Sequence, residues 1–173
     1  MTLDTLNQVF STYEILKDSM IVTRRSISKS AYALHNKTIF FGEQKDKIIN
    51  KISSVETELD DIMILSLFAS FERELRISIQ NIIDLNVKKH NPIINKFIEL
   101  TSESIERWIM KDIVDAFDGI VEENIRGRVK QIYDYRNWVA HGKNPDKLPS
   151  IRIDPKTVFM VLCDFALQAS TVL

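Results

Sequence analysis

From Ile48 onward, apolar or small side chains fall at Ile48, Ile52, Val55, Leu59, Ile62, Ser66 and Ala69. The spacing alternates between four and three, which is the stripe of an amphipathic helix. The same periodicity continues to about Val87 and predicts one long second helix. Upstream, residues Leu3 to Lys37 predict a first helix with a break near Ser26 to Ser30, closed by a turn at Phe40-Phe41-Gly42. Beyond Asn91-Pro92, Ile105, Trp108, Ile109, Ile113, Ala116 and Phe117 predict a third helix that stops at Asp118-Gly119. A fourth begins near Ile120. Its stripe runs Val121, Ile125, Val129, Ile132, Arg136, Val139, so that a cation takes a position the pattern reserves for apolar residues. Gly142 suits the C' position of that helix, and Pro145 and Pro149 keep the chain from continuing it. Asp154-Pro155 reads as an N-cap followed by proline at the first helical position. This opens a last helix that turns Val158, Val161, Leu162, Phe165 and Ala169 inward. No strand pattern competes with these elements, and the fold class expected is all-α, a bundle of about five helices.

Length and composition narrow the picture further. The chain has 173 residues, with 45% hydrophobic and 27% charged residues and little Gly or Pro, which suits a folded globular unit. No repeat, low-complexity tract or linker divides residues 1–173, so one domain is expected. A net charge of -1 supplies no global attraction to phosphate, and any nucleic-acid contact must be local. The lone Cys163 excludes an internal disulfide and, within the apolar run Val158 to Ala166, reads as a packed structural thiol. The N-terminal residues lack a signal-peptide pattern, and the apolar stretch around Ile62 to Phe71 is too short for a bilayer, so a cytoplasmic protein without membrane contact is expected.

Three features bear on chemistry. The first is the run Arg136-Asn137-Trp138-Val139-Ala140-His141, placed where the fourth helix ends. An imidazole titrates near neutral pH, about 6.5 when unperturbed, and exchanges protons readily; the end of a helix favours its cationic form by roughly 0.3–1 kcal/mol. A guanidinium offers a planar fork for two phosphate oxygens. Asn137, four residues before His141, shares its helical face and is placed to orient the imidazole or to bind phosphate. Arg136 lies about 140° around the helix from His141, so its side chain must curl to reach the same site. Taken singly, Arg136 also reads as a side chain that packs its stem and solvates its head, and His141 as a cap on the last carbonyls.

The second feature is Glu72, a carboxylate on the face of the second helix shared with Phe68, Ala69, Leu75 and Ile79. Either it positions Arg136 or it pairs with Arg76 one turn on. The third is the stretch from Glu122 to Lys147, with six cations (Arg126, Arg128, Lys130, Arg136, Lys143, Lys147) against four acids. It reads as an RNA-holding surface including Lys143, or as a solvated face. Trp108 and Trp138 read as packing residues. His35, His90 and His141 are scattered and Asp60 and Asp61 point to different sides of a helix, so no metal site is expected. A Gly-rich phosphate loop is lacking, and no cofactor is expected.

The Arg136, Asn137, His141 pattern resembles the RNxxxH signature of the HEPN superfamily, and the layout of a long helix, a motif helix and a closing helix is similar to that family, including its RiboL-PSP-HEPN-like members. That resemblance implies a metal-independent endoribonuclease in which Arg136 and His141 are catalytic and Asn137, Glu72 and Lys143 support them. It also implies a homodimer whose paired motif helices form one composite site, and a toxin-antitoxin or anti-phage defence setting with a restraining partner protein. Inactive members of the superfamily imply the alternative of a non-catalytic module for dimerisation or nucleotide or RNA binding. A subgroup in which a tyrosine follows the histidine by two places is disfavoured, because Lys143 occupies that position.

Overall fold

A computed structural model of the chain describes residues 3–29, 35–87 and 107–173. Among the described residues there are five α-helices and no strand, as the pattern predicts. Helix α1 spans Asp4–Ser28, with Asp4 in its first turn and Arg25 in its last, both complementing the helix dipole. It ends well before Lys37. Near the expected break the Ser26 hydroxyl donates to the Thr23 carbonyl at 3.0 Å while lying 3.0 Å from the buried His35 Nε2. Such local side-chain bonds compete with helix continuation. Lys37 is left-handed (φ 62°), and Gly42 (φ 78°) completes the turn predicted at Phe40-Phe41-Gly42.

Helix α2, Lys45–Val87, has 43 residues and is about 65 Å long. Its extent matches the periodicity, but its buried face follows the predicted stripe only at Ile48 and Ile52. Ile48 and Ile52 pack with Ile27 of α1 in a small cluster, whereas Val55 and Ile62 are 52% and 53% exposed. The inward line of the central and C-terminal part is Asp61, Ile64, Phe68, Phe71, Leu75 and Ser78, also spaced by three and four. Both ladders are available in the sequence. The one carrying two phenylalanines and a leucine removes more apolar area from water and is the one buried.

Helix α3 is Met110–Asp115, shorter than the run from Ile105 to Phe117. Ile105 lies outside the described residues. Ile109 is extended (ψ 132°), which turns the chain so that Met110, Ile113 and Val114 face the core, and Gly119 (φ 74°) closes the segment as expected. Helix α4, Glu123–Ala140, starts three residues after Ile120 and buries Val129, Ile132 and Tyr135. Tyr135 therefore continues the inward line, and the neighbouring Arg136 is only partly buried, its stem beside the core rather than in it. Helix α5, Pro155–Ala169, begins as predicted: the Asp154 carboxylate accepts from the Thr157 N–H at 3.0 Å and from the Thr157 hydroxyl at 2.6 Å.

Helix α2 is the spine, touching α1, α4 and α5. The five inward residues predicted on α5 are all buried, and the Phe165 ring meets Phe71 and Phe117 edge-on, both at 5.3 Å between centroids. Trp108 and Trp138 pack at the margin of this core, as does Cys163, whose thiol burial pushes above its ordinary pKa range. Among the described residues no helix is long and apolar enough to cross a membrane.

Candidate functional site

The end of α4 is fixed by a Schellman motif. His141 is the C-cap and its N–H donates to the Asn137 carbonyl at 3.0 Å; Gly142 N–H reaches Val139 O at 3.1 Å and Lys143 N–H reaches Trp138 O at 2.9 Å. Gly142 (φ 81°) supplies the left-handed residue that the motif needs. Lys143 is left-handed too (φ 58°), at a cost of about 1 kcal/mol or more for a residue with a Cβ. On the far side, the Trp138 indole N–H donates to Asn144 O at 2.9 Å, and the Asn144 side chain accepts from Asp146 N–H at 2.9 Å, starting the 3-10 turn Pro145–Lys147.

On this frame His141 is exposed, and no hydrogen bond holds its imidazole among the described residues. The Arg136 guanidinium donates through one terminal nitrogen to Asn137 Oδ1 at 2.9 Å, while its Nε is buried with no acceptor among the described residues. Asn137 thus engages the arginine of the motif rather than the histidine. The enclosed Nε is closed to an incoming anion in this conformation, so an anion would have to meet the terminal nitrogens of the guanidinium.

Among the described residues Glu72 pairs with Arg76 and makes no hydrogen bond or ion pair with Arg136. Its carboxylate accepts from Arg76 at 2.8 Å, and the same Arg76 donates to the Trp108 carbonyl at 2.9 Å. One turn of helix brings Glu72 and Arg76 together, and the carbonyl of a neighbouring segment also accepts from the arginine, so the i,i+4 pairing is the one realised. Lys143 is also engaged. Its ammonium lies 2.8 Å from Glu58 and 2.7 Å from Asp61, and hydrogen bonds to Asp61 and then Glu58 hold its pKa above the ordinary range. Contact with a phosphate would require it to leave two carboxylates.

Asp61 is the residue that the periodicity did not single out. Its side chain is 8% exposed, and besides Lys143 it accepts from the Tyr135 hydroxyl at 2.8 Å. A carboxylate so buried needs such partners, since leaving it unpaired costs several kcal/mol. Asp60, the next residue round the helix, accepts instead from Tyr13 at 2.9 Å and Lys17 at 3.0 Å on α1. The two acids do point to different sides, as expected, and tie α1 and the end of α4 to the spine. A signal for Asp61 existed: it heads the ladder Asp61, Ile64, Phe68, Phe71, Leu75, the same anomaly of a charge on an apolar line that draws attention to Arg136.

Half of the basic stretch is compensated. Arg126 pairs with Asp118, Lys130 with Asp115, and Lys143 as described. Arg128, Arg136 and Lys147 have no such acidic partner among the described residues, and they are spread from the middle of α4 to the turn beyond it. Among the described residues, no group of three or more His, Cys, Asp or Glu side chains is placed to hold a metal ion.

The Tyr135 to Asp61 bond gives a pH prediction. Burial, then the hydrogen bond to Asp61, pushes the Tyr135 phenol up from 10.0 to about 12, and burial with Asp60 as partner raises Tyr13 as well. A raised folded-state pKa contributes stability that is complete below pH 10 and is lost as pH climbs toward 12. Lys143 acts with the same sign above its own ordinary range. Urea unfolding between pH 9 and 12 should therefore show a falling midpoint, and Tyr135→Phe should flatten that fall while lowering stability at pH 8 by about 1–2 kcal/mol.

Compared with protein-family models, curated proteins and solved structures, the chain matches none.

Proposed function

We propose that the chain is an endoribonuclease of the HEPN kind that cleaves RNA without a metal ion, with Arg136 and His141 as its catalytic residues. The observation that carries this reading is the placement of the RNxxxH pattern at the end of α4. Its histidine is exposed at the C-cap with no side-chain hydrogen bond among the described residues, and its arginine is part-buried beside it and bonded to Asn137. In the reaction, the ribose 2'-oxygen attacks the adjacent phosphorus, the bond from phosphorus to the 5'-oxygen breaks, and the products carry a 2',3'-cyclic phosphate and a 5'-hydroxyl. The imidazole of His141 moves the proton, either from the 2'-hydroxyl or to the departing 5'-oxygen. The Arg136 guanidinium offsets the additional negative charge on the non-bridging oxygens in the pentacoordinate transition state. Asn137, bonded to Arg136, orients that guanidinium.

In-line displacement uses proton transfer on both sides of phosphorus, and one chain supplies one motif histidine. A two-fold homodimer with the motif helices facing a shared cleft provides the second. Sedimentation should then give a particle of twice the 20.1 kDa chain mass. Because unrestrained RNA cleavage is toxic, the setting that fits is a toxin-antitoxin or phage-defence system with a protein partner that restrains the enzyme.

The direct test is incubation of pure protein with total RNA in EDTA, followed by end-group analysis. Cyclic phosphate and 5'-hydroxyl ends are expected; RNA that remains intact overturns the reading. In cells, expression should arrest growth, and His141→Ala should relieve it. A second reading, a non-catalytic module for dimerisation or nucleotide or RNA binding, is favoured by the internal engagement of Asn137 and Lys143. Binding of RNA with no cleavage selects it.

A further inference from the structure

We propose that Asp61 is a positioning residue for His141, acting through Lys143 to lock the turn that follows the histidine. This inference rests on the reading of His141 as the proton-transfer group. The turn comprises two consecutive left-handed residues, of which only Gly142 adopts that conformation freely. Lys143 is held there by forces from outside its own helix: the 2.7 Å ion pair to Asp61 and the 2.8 Å ion pair to Glu58, both on α2. Asp61 is the rigid partner of the two, because its side chain is 8% exposed against 61% for Glu58 and its other oxygen is fixed by the Tyr135 hydroxyl.

Tyr135 lies in the last two turns of α4 and Lys143 just beyond its end, so one buried carboxylate grips both sides of the motif. The Trp138 to Asn144 hydrogen bond closes the same loop from the opposite side. His141, which has no side-chain hydrogen bond of its own among the described residues, takes its place from this backbone alone. A reacting group set by backbone geometry loses rate steeply when that geometry loosens, since a displacement near 1 Å costs up to about 100-fold. A strained conformation is retained at such a site only where its surroundings enforce it.

Two measurements on the intact protein test this. Amide exchange followed by NMR reads the turn directly, through the Lys143 N–H bonded to Trp138 O, with the Leu162 amide in α5 as internal reference. Single-turnover RNA cleavage reads the consequence. Asp61→Asn and Lys143→Met should each speed exchange at Lys143 by tenfold or more relative to Leu162. Both should lower the cleavage rate constant by about 10- to 100-fold with little change in KM, while Lys143→Arg, which can still bridge the two carboxylates, should stay within about threefold of wild type. Lys143→Met carries the test if Asp61→Asn does not fold. Unchanged exchange in both variants overturns the proposal, as does a rise in KM at constant rate, which would make Lys143 an RNA contact. A wild type that cleaves no RNA removes the nuclease reading, whereas the exchange data still decide whether Asp61 holds the turn.

Discussion

Alanine at His141 should lower single-turnover RNA cleavage by 10²- to 10⁴-fold, the contribution typical of a general acid or base. In a homodimer the substitution deletes both imidazoles, so the upper end of that range is expected. Because His141 is exposed and its side chain bonds to nothing among the described residues, folding should be untouched, with unfolding midpoints within about 0.5 kcal/mol of wild type. Arg136→Ala should cost 10²- to 10³-fold through loss of transition-state charge stabilisation. Arg136→Lys should recover little of it, because an ammonium is a point charge and cannot hold two oxygens at once. Residues acting on one phosphate are not additive, so the double variant should be scarcely slower than the worse single one. Cleavage of an end-labelled RNA in EDTA measures all of these, and a His141→Ala protein as fast as wild type would end the assignment.

The largest effect on stability is expected at Phe165. This ring is fully buried, sits edge-on to Phe71 of α2 and to Phe117 after α3, and so joins three segments. Phe165→Ala should cost about 3–5 kcal/mol, from lost transfer free energy together with the cavity left behind. Edge-to-face contacts of this type add ~0.5–1.5 kcal/mol each beyond area burial. Set against the roughly 5–15 kcal/mol that separates folded from unfolded domains, this is a large fraction of the total. Leu167→Ala, two positions further along α5 but 57% exposed, should change stability by no more than about 0.5 kcal/mol. Urea denaturation of the two variants side by side separates burial from helix propensity, and equal losses would place the core elsewhere.

The ends of the helices were written locally. Asp154-Pro155 caps α5 through atoms three residues away, Gly142 ends α4, Gly119 closes the segment after α3, and α1 ends at Ser28, within the expected break. Each of these depends on neighbours within a few positions, so the sequence displays it. The composition of the motif, Arg136 with Asn137 and His141, was legible for the same reason.

Which face of α2 is buried was not. Ile48 to Ala69 and Asp61 to Ser78 form two ladders with the same spacing, and periodicity cannot rank them. Only contact with α4 and α5 selects the second and leaves Val55 and Ile62 exposed. The same holds on α4, where the packing seats Tyr135 on the inward line and leaves Arg136 at its margin.

The partners of charged groups were equally hidden. Glu72 found Arg76 one turn away, a pairing the chain can express by itself, but Asp61 reaches Tyr135 across 74 residues and draws Lys143 into a left-handed turn. By itself the sequence determined the helices, their caps and the residues available for chemistry, because short-range hydrogen bonding and propensity act within a turn or two. Only the tertiary structure decided which stripe meets the core and which carboxylate holds the end of the motif helix, because those choices depend on surfaces brought together from distant parts of the chain.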